Sequence, residues 1–194
     1  MAAPIPTKAV CLDFETSGST WGGDSSILHQ GISFGLVVFD TRTFEPIDMM
    51  YQEIKFDASK YKWSEEAQAI HGLSREHLEE NGVSQEDAAF AMCEMLLKHF
   101  GPSPTIMLLG HNLSFDICFT KQLLEQFGLM FKIHHVHLDT AGIALVTLGI
   151  HKSDLVFDFL GCGERELHNA LEDCLMTIEA CRRIRMVFQA GLSE

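Results

Sequence analysis

Four acidic side chains carry the chemistry legible in this chain. Asp13 and Glu15 stand two residues apart beside Val10, Leu12 and Phe14. On a strand such a pair leaves from one face. Asp116 ends the run Gly110-His111-Asn112-Leu113-Ser114-Phe115, and Asp173 follows His168-Asn169-Ala170-Leu171-Glu172. Each has a plain reading when taken singly: solvated acids entering a loop, or carboxylates complementing a helix N-terminus. Gathered together they form an all-oxygen site suited to hard divalent cations. Without metal they repel one another and some stay protonated. Two Mg²⁺ or Mn²⁺ ions roughly 4 Å apart activate a water and stabilise the leaving oxygen in phosphodiester cleavage. A nearby histidine, with an ordinary pKa of about 6.5, is the natural general base.

The elements that must position these residues follow from the apolar pattern. Ala9–Glu15, Ile32–Asp40 and Met50–Phe56 read as three strands of a meander, the first ended by Thr16-Ser17-Gly18-Ser19. The pattern then turns helical. Trp63–Ile70 predicts a short helix. Ser84 with Asp87 three residues on predicts the start of a longer one, reaching Phe100, with Ala88, Ala91, Met92, Met95 and Leu96 at helical spacing. A strand at Thr105–Leu109, a helix at Phe115–Phe127 and a strand at Ile133–Leu138 suggest a parallel crossover. Helices at Thr140–Leu148 and along the apolar stripe Leu171, Cys174, Leu175, Ile178, Cys181 and Ile184 complete a mixed sheet with helices packed on it.

Three other patterns are set aside. Gly31-Ile32-Ser33-Phe34-Gly35 fits the nucleophile-elbow spacing, but the apolar run continues through Phe39 with no helix following, so Ser33 reads as a strand residue. His134, His135 and His137 beside Asp139 resemble a transition-metal cluster, His135 and His137 sharing a strand face, yet a fourth ligand at recognisable spacing is missing. Asn112-Leu113-Ser114 is a formal glycosylation sequon inside the proposed active-site motif.

The segments Asp13-Phe14-Glu15-Thr16-Ser17-Gly18, Ile70-His71-Gly72-Leu73, His111-Asn112-Leu113-Ser114-Phe115-Asp116 and His168-Asn169-Ala170-Leu171-Glu172-Asp173 resemble, in order and spacing, the DEDDh family of 3′-to-5′ exonucleases. That family includes the proofreading subunit of bacterial DNA polymerase III, ribonuclease T and oligoribonuclease. The resemblance implies a ribonuclease H-like α/β fold: a mixed five-stranded sheet, antiparallel meander then parallel strands, flanked by helices. It implies release of nucleoside 5′-monophosphates from the 3′ end of single-stranded DNA or RNA, or of short oligonucleotides. Carried across residue by residue, Asp13, Glu15, Asp116 and Asp173 bind two Mg²⁺ or Mn²⁺ ions, and His168 deprotonates the attacking water. Main-chain groups at Thr16, Ser17 and Gly18 contact the terminal nucleotide, with a substrate contact from Asn112. Ser19 stands where many relatives carry a leucine, Trp21 is a candidate either for stacking on a base or for anchoring the loop, and His71 takes a structural role.

Composition bounds this reading. The 194 residues carry 14 Lys+Arg against 27 Asp+Glu, a formal charge of −13, with 46% apolar residues. This is a globular composition, and the simplest organisation is a single exonuclease domain over residues 1–194. No segment is long and apolar enough to span a bilayer, and the N-terminus lacks the apolar core of a secretory signal, so a cytoplasmic protein away from membranes is expected. The six cysteines form no CxxC pair and read as reduced core thiols. A protein gripping long nucleic acid through many phosphates is basic; this acidic one is expected to engage only a few terminal nucleotides. Two other readings stay open: a non-catalytic binding module of the same fold, and a proofreading subunit with a polymerase partner. A homodimer is also open, since several family members dimerise.

Overall fold

The computed structural model describes residues 5–19, 28–163 and 168–191. Trp21 lies outside them. Three antiparallel strands open the chain: β1 (Lys8–Thr16), β2 (Gly31–Asp40) and β3 (Pro46–Glu53). Three helices follow, α1 (Glu65–His71), α2 (Arg75–Asn81) and α3 (Gln85–Phe100). The second half contains β4 (Thr105–Ile106), β5 (Leu108–Gly110), α4 (Leu113–Glu125), β6 (Lys132–Ile133), β7 (Leu138–Asp139), α5 (Thr140–Leu148), α6 (Ser153–Leu160) and α7 (Ala170–Gly191). The main sheet has the order β3-β2-β1-β5-β7, with β5 parallel to β1 and β7 parallel to β5. This is the meander-then-parallel sheet that the motif resemblance implies.

Alternation along β1 sorts the molecule into two layers. Val10, Leu12 and Phe14 join Phe34, Leu36 and Val38 in a core closed by Met92 and Leu96 of α3 and by Phe119 and Leu123 of α4. Ala9 and Cys11 face the other way, packing with Val37, Phe39 and Cys174, Ile178 and Cys181 of α7. Asp13 and Glu15 continue this second row toward the carboxyl end of β1. The acids therefore emerge on the α7 face, just where the apolar row stops. Gly35, opposite Asp13 in the ladder, makes the close approach of α7 feasible: a Cβ there would lie 2.2 Å from the Ala170 carbonyl oxygen.

The strand expected at Thr105–Leu109 divides at Met107. β4 pairs with β6 in a two-stranded ribbon, while β5 enters the main sheet. The strand expected at Ile133–Leu138 divides likewise into β6 and β7, so His135 and His137 share no strand face. The His134 ring accounts for this break. Its Nδ1 accepts from the Val136 amide at 3.1 Å, a local turn that competes with the ladder. Helices α2 and α6 were not expected from the pattern. β3 begins at Pro46, four residues before its predicted start, because the hairpin turn after Asp40 is short: the Asp40 amide donates to the Glu45 carbonyl at 3.0 Å.

Candidate active site

Asp13 and Glu15 sit near the carboxyl end of β1, and two helix starts bring the remaining groups to them. α4 begins beside β5 and carries Asp116 in its first turn; Asp116 Oδ1 accepts from the Phe14 amide at 2.9 Å, fastening the helix to β1 between the two strand acids. α7 carries Asp173 in its first turn. The side chain of Asn169 accepts from the Leu171 and Glu172 amides at 3.1 and 3.2 Å, an N-cap that fixes His168 immediately before the helix. His168 Nδ1 lies 3.5 Å from Asp173 Oδ2. Ligand atoms of Glu15, His168 and Asp173 all fall within 4.8 Å of one another. All five residues line one cavity of about 120 Å³ together with His111, Phe115, Ser153, Phe157 and Thr177.

The electrostatics of this cavity fit a divalent cation. Asp116 is 2% exposed, and burial first, then the neighbouring charges of Asp13 and Glu15, push its carboxyl well above the usual carboxylate range, against the Phe14 amide that favours ionisation. Clustered carboxylates that cannot all ionise alone are what a hard cation stabilises. The donor set, oxygen with one imidazole, suits Mg²⁺ or Mn²⁺.

A groove of about 430 Å³ adjoins the cavity, sharing Phe14, Glu15 and Phe115 with it. Thr16, Gly18 and Asn112 line it, along with Ser19, Glu66, Ile70 and His71. Ser17 does not; its fully buried hydroxyl donates to the Lys62 carbonyl at 2.8 Å and accepts from the Gln30 amide at 2.9 Å, so it holds the loop together. The Ser64 amide donates to the Ser17 carbonyl at 2.8 Å, which brings α1 over the groove.

His71 has the packing of the structural role read for it, at the edge of this groove. It is 5% exposed and packs edge-on to Trp63. Its Nδ1 accepts from the Leu73 amide at 3.1 Å, an arrangement that leaves Nε2 to carry the ring proton, and burial, aided by His168 and opposed by Thr16, lowers its pKa. That Nε2 is buried and completes no hydrogen bond. Sequence could supply the histidine but not this orphan donor, because both ring environments are built by residues from other segments. The His134–His137 run gathers no metal-ligating cluster among the described residues. Ser33 is a fully buried strand residue, as read.

The exonuclease family model (RNase_T) matches residues 10–181. No curated protein sequence matches the chain significantly. Among solved structures, the nuclease domain of 3′hExo, a DEDDh family member bound to rAMP, superposes with a TM-score of 0.66 at 16% identity, covering 95% of this chain and 93% of that one. Exonuclease I superposes with a TM-score of 0.74 at 16% identity, covering 93% of this chain and 41% of its own length. Escherichia coli exonuclease I in complex with a dT13 oligonucleotide gives 0.73 at 18% identity, over 95% of this chain and 43% of that one. The chain thus spans about two fifths of exonuclease I. These likenesses agree with the ribonuclease H-like sheet described above. With a family model covering most of its length, the chain belongs to the exonuclease family.

Proposed function

We propose that this protein hydrolyses the terminal phosphodiester at the 3′ end of single-stranded DNA or RNA, releasing nucleoside 5′-monophosphates one at a time. The observation that carries this reading is the junction of the carboxylate-lined cavity with the groove under α1: Glu15 and Phe14 belong to both. A terminal nucleoside seated in the groove leaves its phosphate over the acids. The groove's volume lies in the range of small-ligand sites.

Asp13, Glu15, Asp116 and Asp173 are the residues that would hold two divalent ions, Mg²⁺ or Mn²⁺. Such ions, when bound, supply Lewis-acid polarisation of the phosphate and acidify a water. His168 takes the proton of the attacking water at Nε2, the ring nitrogen turned from Asp173, while the Asp173 carboxylate at 3.5 Å from Nδ1 stabilises the imidazolium that forms. Thr16 and Gly18 offer backbone groups to the terminal nucleotide, and Asn112 a contact from the same wall. Ser17 supports the loop from behind. Among the described residues none identifies itself as a sugar-selecting contact, so both nucleic acids are substrates to be compared.

The test is a 3′-to-5′ degradation assay on matched RNA and DNA oligomers of several lengths in Mg²⁺ or Mn²⁺, with the Asp13→Ala and His168→Ala variants alongside. Laddered loss of single nucleotides by the wild type, and its absence in both variants, is expected. An inert wild type overturns the activity, and robust hydrolysis by the variants overturns the roles.

A further inference from the structure

Asp139 was set aside with the histidine run beside it, yet the structure gives its carboxylate an unusual load. It stands at the carboxyl end of β7, paired with Gly110 at the end of β5. Its Oδ1 accepts from the Ala141 amide at 2.9 Å, capping α5, and also from the Asn112 amide at 3.0 Å; its Oδ2 accepts from the Leu113 amide at 3.0 Å. One carboxylate thus serves the first amides of two helices. α4 needs it, because Asn112 at the start of that helix is in the left-handed conformation, φ 60°, and its own side chain makes no capping bond. The next residue reinforces the grip: the buried Thr140 hydroxyl donates to the Gly110 carbonyl at 3.1 Å.

We infer that Asp139 is a positioning residue for the metal-holding acids, fixing the first turn of α4 and through it the depth at which Asp116 meets Asp13 and Glu15. This rests on the reading of those acids as metal ligands. The path is short: Asp139 holds the Asn112 and Leu113 amides, Asp116 lies in the same first turn, and its carboxyl accepts from the Phe14 amide between Asp13 and Glu15. Asp116 tolerates its crowded place only while α4 is held down onto β1. Releasing the helix start lets the carboxyl retreat from its neighbours, which spoils the cation site without removing a ligand. Groups that orient ligands in this way change metal affinity by about 10- to 100-fold when lost.

Calorimetric titration of the full chain with Mn²⁺, for the wild type, Asp139→Asn and Asp139→Ser, tests this directly. Asn keeps the shape but turns a donor toward an amide; Ser keeps a short cap for α5 and cannot reach α4. The expected result is Mn²⁺ affinity weakened by about tenfold or more in both variants, an unchanged far-ultraviolet circular dichroism spectrum, and an exonuclease deficit that closes as Mn²⁺ is raised while KM for the oligonucleotide stays put. Equal Mn²⁺ affinity in a folded variant overturns the inference, as does a deficit that no Mn²⁺ concentration closes. Failure of both variants to fold also overturns it, making Asp139 a residue of general stability. A wild type that binds no Mn²⁺ overturns the metal reading itself, and the inference with it.

Discussion

Asp116 is held in a place that disfavours an ionised carboxylate. Burial and the charges of Asp13 and Glu15 raise its pKa in the metal-free protein, and a group with a folded pKa above its unfolded value contributes stability at low pH that is lost as pH rises through the folded pKa. In EDTA, the melting temperature of the wild type relative to Asp116→Asn is therefore expected to fall as pH is raised above the ordinary carboxylate value of about 3.9, and saturating Mn²⁺ is expected to abolish that fall. The comparison with the variant matters, because His71 acts in the opposite sense: its lowered pKa makes stability fall as pH drops below the ordinary imidazole value of about 6.5. Asp40 and Asp48, both held at about 2 by their hydrogen bonds to Arg42 and to Lys98 and His99, lose their pairing only at far lower pH. A wild-type curve parallel to that of Asp116→Asn counts against the crowding. Removal of the proposed base makes a second prediction: His168→Ala lowers kcat by about 10²- to 10⁴-fold, read from initial rates at saturating oligonucleotide, with the variant folded. Four acids and His168 were legible because their types and order survive in the bare sequence. The orphan nitrogen of His71 and the double cap made by Asp139 were not, since a hydrogen-bond vacancy and a cap on another helix exist only once distant segments meet.

At the level of elements, legibility followed how local the deciding interaction is. α3 begins at the predicted cap because Ser84 and Asp87 settle it between themselves: Ser84 Oγ accepts from the Asp87 amide at 3.0 Å. α5 matches its predicted bounds, with Asp139 as cap and Gly149 in the left-handed region at its end. By contrast, Thr105–Leu109 is one apolar run divided between two sheets, and nothing within the run says which partner each half will find. α2 hides for another reason: Leu78 is its single buried residue, so Arg75–Asn81 carries no apolar stripe to read. Two substitutions separate elements that place the site from elements that only support the core. Gly35→Ala puts a methyl against the backbone of Ala170 at the start of α7, which is expected to cost about 1–3 kcal/mol and to reduce exonuclease rate well beyond that loss, since Asp173 and His168 ride on the displaced helix start. Ser84→Ala removes a cap on α3, on the opposite face of the sheet, and is expected to cost about 1 kcal/mol with the rate unchanged. Urea unfolding and initial rates on both variants check the pair; a slow Ser84→Ala or a fully active Gly35→Ala contradicts the assignment of α7 as the element that places the site.

The charge of −13 bears on the whole molecule. Half of the 14 Lys and Arg side chains are committed to acids or carbonyls among the described residues: Arg42 to Asp40, Lys55 to Glu79, Lys60 to Asp57, Lys98 to Asp48, Arg182 and Arg183 to Glu179, and Arg185 to the Thr41 and Arg42 carbonyls. Such exposed pairs add little stability, but each leaves less uncompensated positive surface for a phosphate backbone. On the proposed function, attraction for substrate is then concentrated at the cavity, where divalent ions would offset the acids. Binding of a single strand releases counterions in proportion to the phosphates neutralised, with a slope of about −0.7 in log affinity against log salt for each phosphate. Contact with two or three terminal phosphates gives a slope no steeper than about −2. We therefore expect kcat/KM on single-stranded oligomers to show that shallow salt dependence and to reach its plateau at a length of a few nucleotides, with blunt duplex a poor substrate because its ends must first be unpaired. Rates measured across salt concentration and oligomer length decide it. A steep slope together with a rate that keeps rising with length would reveal an extended binding track, and the acidic surface would then have to be reconciled with it.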